Sequence, residues 1–239
     1  MNHRLFCVSA IALLTASSAY GQIFLSETYT FPVVSPSGIV PDDVGSIAFS
    51  ETISGSQISN LTDVLVTISL SGALPGQGWA GDMYVSLNRD LGSQTAVLLN
   101  QVGVTASNAA GSSGNGWSIT FQNGAPNGDI HFAIPAAPAT IVTGTWQPDG
   151  RLNPTASDRP AGLGVFVGGT GNATWYLNLA DLAPGGSMTL NSWSLTLEGT
   201  SPVPEPAESV LCFAIGLSVF ALTHRRTRSK IQRSPTALA

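Results

Sequence analysis

Strict alternation of apolar and polar residues recurs along the middle of this chain, and it leaves little choice of fold. In Asp63-Val64-Leu65-Val66-Thr67-Ile68-Ser69-Leu70, the residues Val64, Val66, Ile68 and Leu70 fall on one side. In Asp82-Met83-Tyr84-Val85-Ser86-Leu87, they are Met83, Val85 and Leu87. Trp175-Tyr176-Leu177-Asn178-Leu179 and Trp193-Ser194-Leu195-Thr196-Leu197 repeat the pattern. A period of two puts successive side chains on opposite faces of a strand, so each run offers one face to a core and one to water. Weaker strands are expected at 27–31, 46–53, 96–100, 117–121 and 129–134. Asn123-Gly124, Asn127-Gly128, Asp149-Gly150 and Pro184-Gly185-Gly186 read as turns between strands. No stretch between residues 22 and 199 has a convincing helical period. Eight or nine short strands with polar outer faces predict an all-β sandwich with Val64, Val66, Ile68, Leu70, Met83, Val85, Leu87, Trp175, Leu177, Trp193, Leu195 and Leu197 in its core.

The two ends have a different character. Asn2-His3-Arg4 precedes an apolar stretch from Leu5 to Ala16, and small residues follow through Gly21. Residues 1–21 read as a secretory signal peptide, cut after Gly21 or after Ala19. At the other end, residues 200–206 form a linker holding Pro204-Glu205-Pro206. An apolar run of 17 residues, 207–223, then meets Arg225, Arg226, Arg228 and Lys230 in the tail 224–239. Such a run stands at the lower limit for a single membrane-spanning helix, and the basic cluster would keep the tail cytoplasmic. The prolines end any helix and hold the motif extended. This tail resembles the PEP-CTERM sorting signal of Gram-negative bacteria. The resemblance implies an exosortase-type membrane transpeptidase as partner, transient membrane anchoring, and delivery to the cell surface or extracellular matrix. A plain C-terminal anchor is the simpler alternative.

The segment 22–199 is long enough for one domain with its own core. The only cysteines, Cys7 and Cys212, lie in the two end segments, so no disulfide is expected in the domain. The domain holds twelve acidic residues and three basic ones (Arg89, Arg151 and Arg159), a net charge of −9, and no lysine. That field repels phosphate backbones and argues against nucleic acid as a partner.

Five stretches occur in a telling order: Asp63 to Leu70, Gly81 to Leu87, Thr143 to Gly150, Ala173 to Asp181, and Gly186 to Leu195. Taken together over residues 56–199, they resemble the P domain (P/Homo B) that follows the protease domain of proprotein convertases. The resemblance implies a jelly-roll sandwich of the galactose-binding-like type. Two turns depart from the family's pattern, Gln77-Gly78-Trp79-Ala80 and Asn88 to Ser93, which puts docking roles carried by those turns in doubt.

Little in the domain points to catalysis. His131 is its only histidine, so a Ser-His-Asp triad would have to use it. It sits in an expected strand and reads as a solvent-facing residue. Zinc is disfavoured for want of Cys/His clusters. Asp82 and Asp181 match positions that recur in the P-domain pattern. They read either as turn caps or as hard oxygen ligands for calcium. Trp79 and Trp146 lie near turns and are the candidates for stacking on sugars. Two long loops, 102–116 and 147–164, are candidates for function or simple flexibility. The leading expectation is a non-catalytic, exported interaction or structural module. The alternatives are a carbohydrate-binding module for extracellular polysaccharide and an uncharacterised hydrolase.

Overall fold

The computed structural model describes residues 21–33, 38–43, 45–72, 78–90, 92, 94–133 and 141–203. The chain divides into two units. One is Ile23–Ser201; the other, Met1–Gln22 with Pro202–Ala239, falls almost wholly outside the described residues. The expected signal peptide, the Pro204–Pro206 motif, the apolar run and the basic tail therefore lie outside them. Among the described residues, no helix is long and apolar enough to cross a membrane.

Among the described residues, nine strands build two sheets: β1 (Gly21–Pro32), β2 (Ser46–Ile53), β3 (Asn60–Gly72), β4 (Met83–Arg89), β5 (Gln94–Asn100), β6 (Gly116–Phe121), β7 (Val142–Trp146), β8 (Ala173–Asp181) and β9 (Met188–Val203). One sheet has the order β1-β9-β3-β6-β7 and the other β2-β8-β4-β5. Pairs β3/β6, β3/β9, β2/β8, β4/β8 and β4/β5 are antiparallel, and β6/β7 is parallel. The expected all-β sandwich is the fold found, and all twelve expected core residues are buried. Val64, Val66, Ile68 and Leu70 of β3 join Met83, Val85 and Leu87 of β4 and Trp175, Leu177 and Leu179 of β8 in one cluster. Trp193 tilts against Phe31 at 4.4 Å, and Phe166 meets Trp175 edge-on at 5.0 Å, separations typical of favourable aromatic pairs.

Strand β9 breaks the two-residue rhythm and still buries its apolar residues. Ser69 pairs with Ser192, but Leu70 pairs with Leu190, so Asn191 is an extra residue on β9. This bulge exposes Asn191 and Ser192 and turns both Leu190 and Trp193 inward across an odd spacing.

One expected strand is corrected, one further strand appears, and the two long loops are tied down. Residues 129–133 form no strand, and Ile134 lies outside the described residues: Ile130–Phe132 is a single 3-10 turn, capped by the Asp129 carboxylate, which accepts the N–H of His131 at 3.0 Å. Val142–Trp146 is a strand although its exposure does not alternate, because it lies at the edge of its sheet. Neither long loop hangs free. Asn108 donates to the carbonyls of Gly103 and Gly111 and closes the first upon itself, while Ser112 accepts the N–H of Gly81. The second lies along β5: Val97 N–H donates to Ala161, and the N–H groups of Asp149 and Gly150 donate to Leu98 and Val97.

Candidate functional site

Two polar clusters stand out, and only one was foreseen. The first is the acidic turn holding Asp82 and Asp181. Asp181 ends β8 and pairs with Met83, the first residue of β4, so Asp82 stands one residue from that pair. Asp82 lies on the 3-10 turn Ala80–Asp82, and its carbonyl accepts the N–H of Leu182 at 2.9 Å. Asp42 reaches the same turn and accepts the N–H of Gly185 at 3.2 and 3.4 Å. Asp181 is wholly buried, and one of its oxygens accepts a long N–H bond from Ala183 at 3.4 Å. Burial raises the pKa of Asp82 to about 6, and the charges of Asp181 and Asp42 add to the effect. Burial raises Asp181 as well, against the Ala183 bond and with the charges of Asp42 and Asp43. The structure brings Asp82 and Asp181 to the same turn. Among the described residues, no three His, Cys, Asp or Glu side chains close a metal site by themselves.

Trp79 and Trp146 stand on different elements, before the 3-10 turn Ala80–Asp82 and at the end of β7. Trp79 is 37% exposed, and its indole N–H donates to the Ala110 carbonyl at 2.6 Å, fastening the 102–116 loop beside the acidic turn. Trp146 is half-buried against the core and donates to the Thr143 carbonyl at 2.9 Å.

The second cluster was missed, and it overturns the reading of His131. That residue is buried, not solvent-facing, with 2% of its surface exposed. The backbone builds the site: Ile130 N–H donates to Gln147 and Gln147 N–H to Gly128, which draws the 129–131 turn alongside residues 147–149. His131 Nδ1 then lies 2.7 Å from Asp149 Oδ2, and Nε2 lies 3.0 Å from the Val104 carbonyl. Both ring nitrogens face acceptors, an arrangement that suits the doubly protonated, cationic ring. The Asp149 hydrogen bond holds the His131 pKa above its usual value, against burial. Asp149 is fully buried and also takes Arg151 Nη1 at 3.1 Å, while Arg151 Nη2 reaches Asp129 Oδ2 at 2.6 Å. Burial opposes the Arg151 charge, yet the bonds from Asp129 and Asp149 raise its pKa overall. Arg159 donates to the carbonyls of Asp149 and Pro148 and to Gln147 Oε1. The turns at Gly128 and Gly150 were legible in the sequence, but nothing in it placed one against the other.

Two shallow clefts flank this network. The larger, about 200 Å³, lies between Asn123, Gln147, Pro148 and Arg159 over a floor of Gly150 and Gly162. The smaller, about 100 Å³, is bounded by Phe132, Thr105, Pro154 and Thr155 beside His131 and Arg151. Phe132 is exposed, with the Arg151 guanidinium 5.3 Å from its ring centre. Neither tryptophan lines either cleft.

No family model matches the chain, and no curated protein matches it. It is similar to two crystal structures of the serine protease of Aeromonas sobria. Alone, that protein aligns with a TM-score of 0.41 and 15% identity over 77% of this chain and 28% of its own. In complex with the chaperone ORF2 the values are 0.41, 15%, 75% and 27%. The chain spans less than a third of the length of those structures, and a likeness this distant carries no argument about function.

Proposed function

We propose that this chain is an exported, non-catalytic protein of the cell surface or extracellular matrix, whose sandwich serves as an interaction or structural module. One observation carries the non-catalytic part. His131, the domain's only histidine, has both ring nitrogens engaged, by Asp149 and by the Val104 carbonyl, and among the described residues neither meets a serine or threonine hydroxyl. A general base needs a free nitrogen within reach of the proton it takes. Here the ring is a strut between two loops. The sandwich is assigned to the jelly-roll, galactose-binding-like type on the ordered P-domain motifs. Export rests on the leader 1–21 and on the tail with Pro204, Glu205, Pro206 and the basic residues Arg225, Arg226, Arg228 and Lys230. An exosortase-type transpeptidase would cut near the proline motif after residues 207–223 had held the chain in the membrane. Mass spectrometry of the mature protein tests this reading. The expected form lacks residues 1–21 and 207–239, and a mature protein that keeps 207–239 leaves only a plain anchor.

The cleft between Asn123 and Arg159 favours a second reading, a carbohydrate-binding module for extracellular polysaccharide. It is lined by the amides of Asn123 and Gln147, by Arg159 and by three glycines, which suits hydroxyl recognition. A glycan array decides it: signal lost on Asn123→Ala supports the cleft, and no signal with any glycan rejects it.

A further inference from the structure

The acidic turn at the end of β8 contains an anomaly that the proposed function does not use. Asp181 is wholly buried, and its Oδ2 has no hydrogen-bond partner. Its other oxygen has only the long bond from Ala183. A buried carboxylate oxygen left without a donor is costly, and native proteins rarely keep one without a water or ion to satisfy it. Three further carboxylates come near the same turn. Asp82 flanks the Met83–Asp181 pair, Asp42 caps Gly185, and Asp43 follows Asp42 in the left-handed region at φ 61°. Among the described residues, the ion pairs of His131, Arg151 and Arg159 go to Asp129 or Asp149.

We propose that this turn binds one hard divalent cation, best matched by calcium, through the buried Asp181 Oδ2 and the Asp82 carboxylate. The ligands are oxygen only, which disfavours zinc. No third acid closes the sphere among the described residues, so main-chain carbonyls or waters must complete it. Calcium accepts six to eight oxygens in loose geometry, whereas magnesium demands a near-ideal octahedron. The site would also explain why the neighbouring 102–116 loop is so firmly fastened: Trp79 and Gly81, which hold it, are in the segment that leads into Asp82. This inference stands whether or not the export and module readings are correct.

The test uses the full chain in detergent, with calcium and terbium as probes. Trp79 lies three residues from Asp82, and its carbonyl accepts the Asp82 N–H at 3.3 Å, so it is placed to sensitise terbium emission. The expected result is terbium luminescence excited through tryptophan, competed away by calcium, with one calcium bound per chain in equilibrium dialysis. Asp181→Asn and Asp82→Asn should each weaken binding at least tenfold while the circular dichroism spectrum stays unchanged. Asp90→Asn, at an exposed acid away from the turn, should leave binding intact. Calcium should raise the melting temperature of the parent and not of Asp181→Asn. Absence of binding at millimolar calcium overturns the proposal, as does binding that survives Asp181→Asn. An Asp181→Asn chain that is more stable than the parent by the same margin with and without calcium also overturns it, because that is how two carboxyls sharing a proton would behave.

Discussion

At the scale of the residue, His131 carries the most physical consequence. Its ring is clamped between the Asp149 carboxylate and the Val104 carbonyl, and the Asp149 bond holds its pKa above the usual 6.5. The folded chain therefore binds this proton more tightly than the unfolded chain does. The stabilisation is complete below about pH 6.5 and is lost as pH rises through the folded value. The groups facing the ring are Asp149 and, through it, Arg151 and Asp129, so the effect belongs to this network. Denaturant unfolding of the parent should show stability falling as pH rises above 6.5, and His131→Gln should flatten that slope. A slope unchanged in His131→Gln would remove the imidazolium from the account. Asp149→Ala strands His131 and Arg151 without their buried partner and should cost about 3–5 kcal/mol, the usual penalty for breaking a buried pair from one side. Burial of His131 was not legible in the sequence. Its partner lies 18 residues away, and the only local cue, an apolar residue on either side, is shared by any outward strand position.

At the scale of the element, what could be read and what could not divide along one line. Strands β3, β4, β8 and β9 announce themselves because each has one wet face and one dry one. Strand β5 is weaker as a pattern because Ala96 to Asn100 are all buried: the 147–164 loop covers the edge that would otherwise alternate. Strand β7 was missed as a strand because its five residues are half-buried or exposed throughout, Gly144 among them at φ 100°. In β9 the alternation fails at Asn191, and the failure is itself structural. Deleting Asn191 would bring Leu190 and Trp193 two residues apart, which keeps both on the inner face and removes the bulge. The expected change is small, about 1 kcal/mol or less, because no apolar side chain leaves the core. Urea denaturation checks this, and a loss of several kcal/mol would show that the core depends on the bulge itself. The acidic turn was half-legible for a related reason: both aspartates sit where a strand meets a turn, but the isolation of Asp181 Oδ2 follows from packing that no local pattern encodes.

At the scale of the molecule, the 147–164 loop decides how the chain behaves among its own copies. It donates to and accepts from the outer backbone of β5 through Val97 and Leu98, so that edge of the four-stranded sheet has no row of vacant amides. The plug is itself held by Gly150, at φ 70°, where an added Cβ would crowd Arg159 Cβ at 3.2 Å. Gly150→Val should loosen it at a cost of about 1–3 kcal/mol. An unplugged strand is a template for another chain. Light scattering across a concentration series should then report growing assemblies for the variant and monomers for the parent; a variant that loses stability yet stays monomeric would disprove the link. A lysine-free sandwich lacks the commonest side chain for guarding a bare edge. Crowded together at high density, copies of this protein would meet at β5 a stretch of its own backbone already occupying the seat that a neighbour's strand would take.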